Sequence, residues 1–157
     1  MKFKEDMEFV KPTIFVGVPR LYNRIVETVE TKFQETSGFK KRLLDYAISS
    51  KLYYLRQKGK NHSRIYDKLI FNKVKESFGG QIRLMFTGSA PIKADTYEMM
   101  RICMSCPLYE GYGQTENTAA AFTQSISDYQ PGFVGAIAVC FWICRAIWSS
   151  NSRICPR

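Results

Sequence analysis

Residues 109–117 read Tyr-Glu-Gly-Tyr-Gly-Gln-Thr-Glu-Asn. Gly111, Tyr112, Gly113, Thr115 and Glu116 thus place two glycines, an aromatic ring, a hydroxyl and a carboxylate on one short segment. Glycine lets a backbone approach a ligand closely or adopt positive φ. An aromatic face can stack on a flat heterocycle. A threonine hydroxyl can donate to a phosphate oxygen, and a carboxylate oxygen suits a Mg²⁺ ion shared with substrate phosphates. These are the parts of a nucleotide site carried by one loop.

A second segment lies upstream. Ile82-Arg83-Leu84-Met85-Phe86 is a short apolar run followed by Thr87-Gly88-Ser89-Ala90-Pro91. The run fits a buried strand, and open α/β sheets bind ligands at the carboxyl ends of their strands. Taken alone, Gly-Ser-Ala-Pro also fits an ordinary tight turn. The second loop at this distance favours a site.

The elements that must position these loops follow from periodicity. Strands are expected at 13–17, 82–87, 107–109 and near 119–123, and helices at 20–35, 40–57, 63–78 and 93–104. Pro19 opens the first of these helices, and Ile25, Val29 and Phe33 mark its buried side. Alternating strands and helices imply a parallel or mixed sheet with flanking helices, an α/β fold. In the helical pair, Leu43, Leu44, Ala47, Ile48, Leu52 and Leu55 form one apolar stripe. Ile65, Leu69, Phe71, Val74 and Phe78 form the other, with a turn at Gly59-Lys60-Asn61. Residues 40–75 hold eleven Lys or Arg and two Asp, a net +9 that equals the charge of the whole chain. The reading is an amphipathic hairpin with a basic outer face. That face is either solvated or a peripheral contact for an anionic membrane. Nucleic acid fits less well, because no nucleic-acid-binding signature accompanies the charge. His62, in the hairpin turn, reads as a solvated loop residue.

The segments Lys11-Pro12-Thr13-Ile14-Phe15-Val16-Gly17-Val18-Pro19-Arg20-Leu21-Tyr22-Asn23-Arg24-Ile25, Thr-Gly-Ser-Ala-Pro and Glu-Gly-Tyr-Gly-Gln-Thr-Glu occur in this order. Together they resemble the adenylate-forming, AMP-binding acyl-activating enzymes, most closely the long-chain fatty acyl-CoA synthetases. The resemblance covers roughly residues 8–135. It implies part of the large N-terminal domain of that fold, with a mixed sheet flanked by helices. It also implies a ligase reaction in which ATP and a long-chain fatty acid give an acyl-adenylate and pyrophosphate, and CoA then displaces AMP. By the same resemblance Gly88, Ser89 and Ala90 line an adenine pocket, Tyr112 stacks on the base, Thr115 contacts phosphate and Glu116 holds Mg²⁺.

The family's phosphate loop, ribose-binding Asp, hinge and catalytic Lys find no match within residues 1–157. The chain is therefore expected to be an internal fragment, inactive alone. The alternative is a non-catalytic remnant that binds nucleotide, a lipid surface or a partner. Residues 1–135 are expected to belong to the AMP-binding domain and 136–157 to a divergent tail. Its apolar run Ala136–Trp148 contains Arg145 and is shorter than the ~20 residues a spanning helix needs. The tail reads as an out-of-frame or read-through end, or else as a lineage-specific extension. Cys103-Met104-Ser105-Cys106 reads as buried free thiols rather than a redox pair or half a zinc site. The odd count of five cysteines and the charged opening Met1–Asp6 point to a reducing, intracellular compartment. For the parent enzyme, association with a membrane such as the endoplasmic reticulum is expected.

Overall fold

The computed structural model of the chain describes residues 3–117, 121–125 and 127–137. Five strands form one mixed sheet in the order β1 (Ile14–Gly17), β2 (Leu84–Thr87), β3 (Leu108–Tyr112), β4 (Phe122–Thr123) and β5 (Ala136–Ile137). The first three are parallel, with Ile14 opposite Leu84 and Met85 opposite Leu108. β4 and β5 add in antiparallel fashion beyond β3. The helices are α1 (Phe3–Val10), α2 (Pro19–Gln34), α3 (Phe39–Lys58), α4 (Arg64–Tyr66), α5 (Asn72–Glu76) and α6 (Ala94–Met104). This is the α/β arrangement expected from the pattern.

The core forms where α2, α3 and α6 pack together against the sheet. Pro19 starts α2, and Tyr22, Ile25, Val26 and Val29 make its buried stripe. Phe15, Met85 and Leu108 supply the sheet side, with Tyr97, Met100 and Ile102 from α6. Tyr22 ties three elements together. Its ring meets Phe15 edge-on at 5.6 Å, and its hydroxyl donates to the carbonyls of Phe15 and Phe86 at 3.2 and 2.9 Å. Ile14 and Val16, which alternate with Phe15 on β1, remain exposed.

The helical hairpin departs from the sequence reading in two ways. α3 follows its stripe and ends at Gly59, whose φ of 64° supplies the left-handed cap expected of a helix-ending glycine. Between α4 and α5, however, Asp67–Phe71 form a π-helical turn. The extra residue per turn rotates the stripe. Phe71 is buried, Ile70 and Val74 pack against the core, and Ile65 and Leu69 are exposed. The second correction concerns Lys51, counted among the basic residues of the outer face, which is 2% exposed. Its ammonium donates to Asp67 Oδ1 at 2.6 Å, the Ile102 carbonyl at 2.5 Å and Ser105 Oγ at 2.9 Å. It also lies 4.3 Å from the centre of the Phe71 ring. Burial lowers the Lys51 pKa, partly offset by Asp67. Burial alone would raise the Asp67 carboxyl, but hydrogen bonds from Lys51 and Ser105 hold it below its usual value. This pin joins α3, the π turn and the end of α6. There Ser105, at φ 52°, redirects the chain into β3.

Cys103 and Cys106 are buried free thiols whose pKa burial pushes up to about 12, as the C-x-x-C reading held. His62 is exposed. Among the described residues no helix is long and apolar enough to cross a membrane. Ala136 and Ile137, the first two positions of the expected tail, pair with β4. The rest of that tail, with Cys140, Cys144 and the Trp-bearing run, lies outside the described residues.

Candidate functional site

β2 and β3 run parallel and finish side by side, with Thr87 opposite Glu110. Both loops singled out in the sequence therefore leave the same carboxyl edge of the sheet. Gly88-Ser89-Ala90 follows β2 directly. β3 runs on through Gly111 and Tyr112, past the expected end at Tyr109, and leads by way of Gly113 to a 3-10 turn at Thr115–Asn117.

Gly88 and Gly111 are close neighbours. A Cβ on Gly88 would stand 3.1 Å from the Gly111 carbonyl oxygen, and one on Gly111 would stand 3.2 Å from that of Phe122. The sequence reading gave these glycines to ligand approach or positive φ. In the fold their smallness lets three backbone segments pack, and neither has positive φ. The left-handed residue is Ser89, at φ 71°. Such a conformation is costly for a residue with a Cβ and recurs at ligand loops. Ser89 and Ala90 are exposed.

The side chains with chemistry lie at the rim. Tyr112 is 49% exposed, its ring centre 6.1 Å from that of Phe122 and inclined at 54°, so part of its ring surface is open to a planar ligand. Thr115 and Glu116 are exposed on the 3-10 turn. Among the described residues, neither makes a side-chain hydrogen bond or ion pair. No group of three or more His, Cys, Asp or Glu able to hold a metal occurs among the described residues. Glu116 presents an exposed carboxylate, the type of oxygen donor that suits a Mg²⁺ ion taking most of its oxygens from phosphate and water.

Beneath the rim is a buried polar layer to which the sequence reading gave no role. Gln124 Oε1 accepts from the Glu110 backbone N–H at 2.8 Å and from the Tyr97 hydroxyl at 3.1 Å. Its Nε2 donates to the carbonyls of Gln130 and Phe133 at 3.1 and 2.9 Å. Arg101 Nη1 donates to the Tyr97 hydroxyl at 3.0 Å. Glu110, 4% exposed, accepts from the Ile92 backbone N–H at 3.3 Å. It thereby fastens the end of the Gly88–Pro91 loop to β3. Burial raises its pKa, partly offset by backbone N–H groups of Ile92 and Gly132. Glu110 lies inside the motif itself. The one available signal was period-two alternation, which puts Leu108 and Glu110 on the same side of β3.

The profile of the AMP-binding enzymes matches residues 1–143. The chain belongs to the AMP-binding enzyme family. It is 38% identical over 135 residues to the peroxisomal long chain acyl-CoA synthetase 7 of Arabidopsis thaliana, covering 86% of this chain and 19% of that protein. It is 40% identical over 139 residues to long-chain-fatty-acid–CoA ligase 5 of Rattus norvegicus, covering 88% of this chain and 20% of that one. To long-chain-fatty-acid–CoA ligase 1 of Homo sapiens it is 40% identical over 136 residues, covering 87% and 19%. The chain thus spans about a fifth of the length of these relatives. Among solved structures it is similar to the adenylation domain of a carboxylate reductase from Mycobacterium chelonae. The TM-score is 0.55 at 20% identity, over 78% of this chain and 16% of that one, a likeness of fold. The Gly88 loop and the Tyr112–Glu116 segment thus stand at the carboxyl edge of the sheet in a chain of the AMP-binding enzyme family.

Proposed function

We propose that the chain is the part of a long-chain fatty acid–CoA ligase that carries the adenine side of its nucleotide site and one Mg²⁺ ligand. The observation that carries this reading is the pairing of the two loops at one sheet edge, with Tyr112, Thr115 and Glu116 exposed there and the Thr115 and Glu116 side chains without a hydrogen bond or ion pair among the described residues. The names of the relatives supply the substrate class. Gly88, Ser89 and Ala90 flank the base, and Tyr112 offers its open face for stacking. Gly111 lets the β3 backbone pack against Phe122 beneath the rim, and Gly113 keeps the approach free of a side chain. Thr115 donates its hydroxyl to a phosphate oxygen, and Glu116 supplies a metal-ligating oxygen. Bound Mg²⁺ neutralises phosphate charge, which is most of what phosphoryl and nucleotidyl positioning requires. Fatty acid and CoA complete the substrate set. An intracellular parent near an organelle membrane fits the relative named as peroxisomal.

The 157-residue chain alone is expected to release no AMP from ATP, Mg²⁺, palmitate and CoA. Carried in an enzyme of the relatives' full length, Glu116→Gln should lower adenylation sharply at unchanged thermal stability. A wild-type rate for Glu116→Gln at saturating Mg²⁺ would remove the metal assignment.

A further inference from the structure

The strand end that carries the rim lies outside the apolar core. Among the described residues, none beyond Leu108 belongs to that core. Past β3 the sheet continues only as the two-residue β4 and β5, with Gly111 opposite Thr123 and Tyr112 opposite Phe122. Strand pairing this short is marginally stable by itself. Something else must hold the Tyr112 ring in place.

Gln124, the first residue after β4, supplies that hold and is 4% exposed. Its backbone N–H donates to the Glu110 carbonyl at 3.1 Å, and its side-chain Oε1 accepts from the Glu110 N–H at 2.8 Å. One residue thus binds both backbone polar groups of Glu110, and the amide oxygen stands in for a further strand carbonyl. The same oxygen accepts from the hydroxyl of Tyr97, a fully buried core residue. Nε2 donates to the carbonyls of Gln130 and Phe133. Both lone pairs and both hydrogens of the amide are therefore used. The chain of contact runs from the core through Tyr97 and Gln124 to Glu110, two residues before Tyr112. Binding groups need such supporting bonds to stay within about 0.5 Å of their working position.

We propose that Gln124 is a positioning residue for nucleotide recognition, which through Glu110 sets where the Tyr112 ring stands opposite the Gly88 loop. This role rests on the nucleotide reading of the rim and adds to it a residue that touches no ligand.

The test compares Gln124→Met with the wild-type chain of 157 residues, since methionine keeps the length of the side chain and removes its four hydrogen bonds. Without nucleotide, amides of residues 110–112 and 121–124 should exchange hydrogen about tenfold faster or more, as expected of a locally loosened segment, while those of α2, α3 and α6 stay unchanged. The Tyr112 ring resonances should move. Affinity for ATP and Mg²⁺, followed by amide shifts, should fall about two- to tenfold, the span of a lost ring stack. In a Tyr112→Ala background Gln124→Met should weaken ATP by less than about twofold, because its effect passes through the ring. A merely structural loss would add in full. Tyr97→Phe removes one of the four bonds and should act in the same direction to a smaller extent, which keeps the test open if circular dichroism shows Gln124→Met unfolded. Ser125→Ala, at the exposed neighbour, should change neither readout. Unchanged exchange, faster exchange at unchanged ATP affinity, or full additivity with Tyr112→Ala overturns the proposal. Absence of ATP-induced shifts at residues 88–90 and 111–116 in the wild type defeats the nucleotide reading itself and this role with it, whereas such shifts with equal affinity in Gln124→Met defeat this role alone.

Discussion

The Lys51–Asp67–Ser105 pin and the Tyr112–Glu116 rim are both polar, and the fold treats them in opposite ways. At the pin the ammonium has three oxygen partners and a ring face, within a shell of helices. At the rim the hydroxyl and the carboxylate face solvent without protein partners among the described residues. Buried polar groups are costly unless satisfied, so the pin serves the fold. Exposed, unengaged groups contribute little to stability and remain available to a ligand. Changes at the pin should unfold the chain, whereas changes at the rim should leave it folded.

The largest effect is expected for Lys51→Met. It removes the nearest cation from the Asp67 carboxylate, which keeps Ser105, the Ser63 N–H and Lys75 at 3.6 Å, so the loss approaches at most the roughly 3–5 kcal/mol of a buried pair broken from one side. Urea denaturation should show this loss, and the double variant Lys51→Met/Asp67→Leu should be less destabilised than the single one. A single variant within 1 kcal/mol of wild type, roughly the worth of an exposed pair, would show that the pin is not a buried pair in solution.

Gly111→Ala should come next. Its Cβ meets the Phe122 carbonyl, a backbone atom with little freedom to retreat, and overpacking of this kind costs about 1–3 kcal/mol. Because the clash lies under the rim, nucleotide affinity and stability should fall together.

A smaller, pH-dependent effect is expected at Glu110. Its folded pKa is raised above the ordinary 4.5, so its contribution is fully present below pH 4.5 and is lost as pH rises through the folded value. Glu110→Gln keeps the acceptor for the Ile92 N–H and removes the buried charge. The variant should therefore gain stability relative to wild type as pH rises through that window, and the two should converge in acid. Thermal melts across pH 3–8 would measure it. A difference independent of pH would mean that Glu110 does not titrate in its buried position.

Much of this arrangement was legible in the sequence. The runs at 13–17 and 82–87 and the helices after Pro19, Phe39 and Lys93 fall within one or two residues of the structure, because strong periodicity and Pro or Gly punctuation mark them. That the two glycine-rich loops would follow adjacent parallel strands was legible for the same reason. What escaped depends on contacts distant in sequence. Lys51 lies four residues from both Ala47 and Leu55 and thus on the apolar stripe, but its charge put it on the outer face. Its oxygen partners Asp67, Ile102 and Ser105, 16 to 54 residues on, make burial tolerable. The π turn has no periodic signature. The two-residue β5 is too short to leave one, and it exists because Gln124 gathers the 130–133 loop beside β3. The basic face remains exposed at Lys41, Arg42, Lys58, Lys60, Arg64 and Lys68, and of the eleven basic residues of 40–75 only Lys51 is buried, a distinction that charge counting cannot make.

The assignment of nucleotide recognition to the carboxyl edge is most directly tested by mapping backbone amide NMR shifts as ATP and Mg²⁺ are added to the chain, wild type beside Tyr112→Ala. The expected result is a cluster of shifts at residues 88–90 and 111–116. In the variant, affinity should be weaker by roughly the 0.5–1.5 kcal/mol that ring stacking contributes, with the remaining spectrum unchanged. Saturable shifts confined to other parts of the chain, or the same affinity in both proteins, would contradict it.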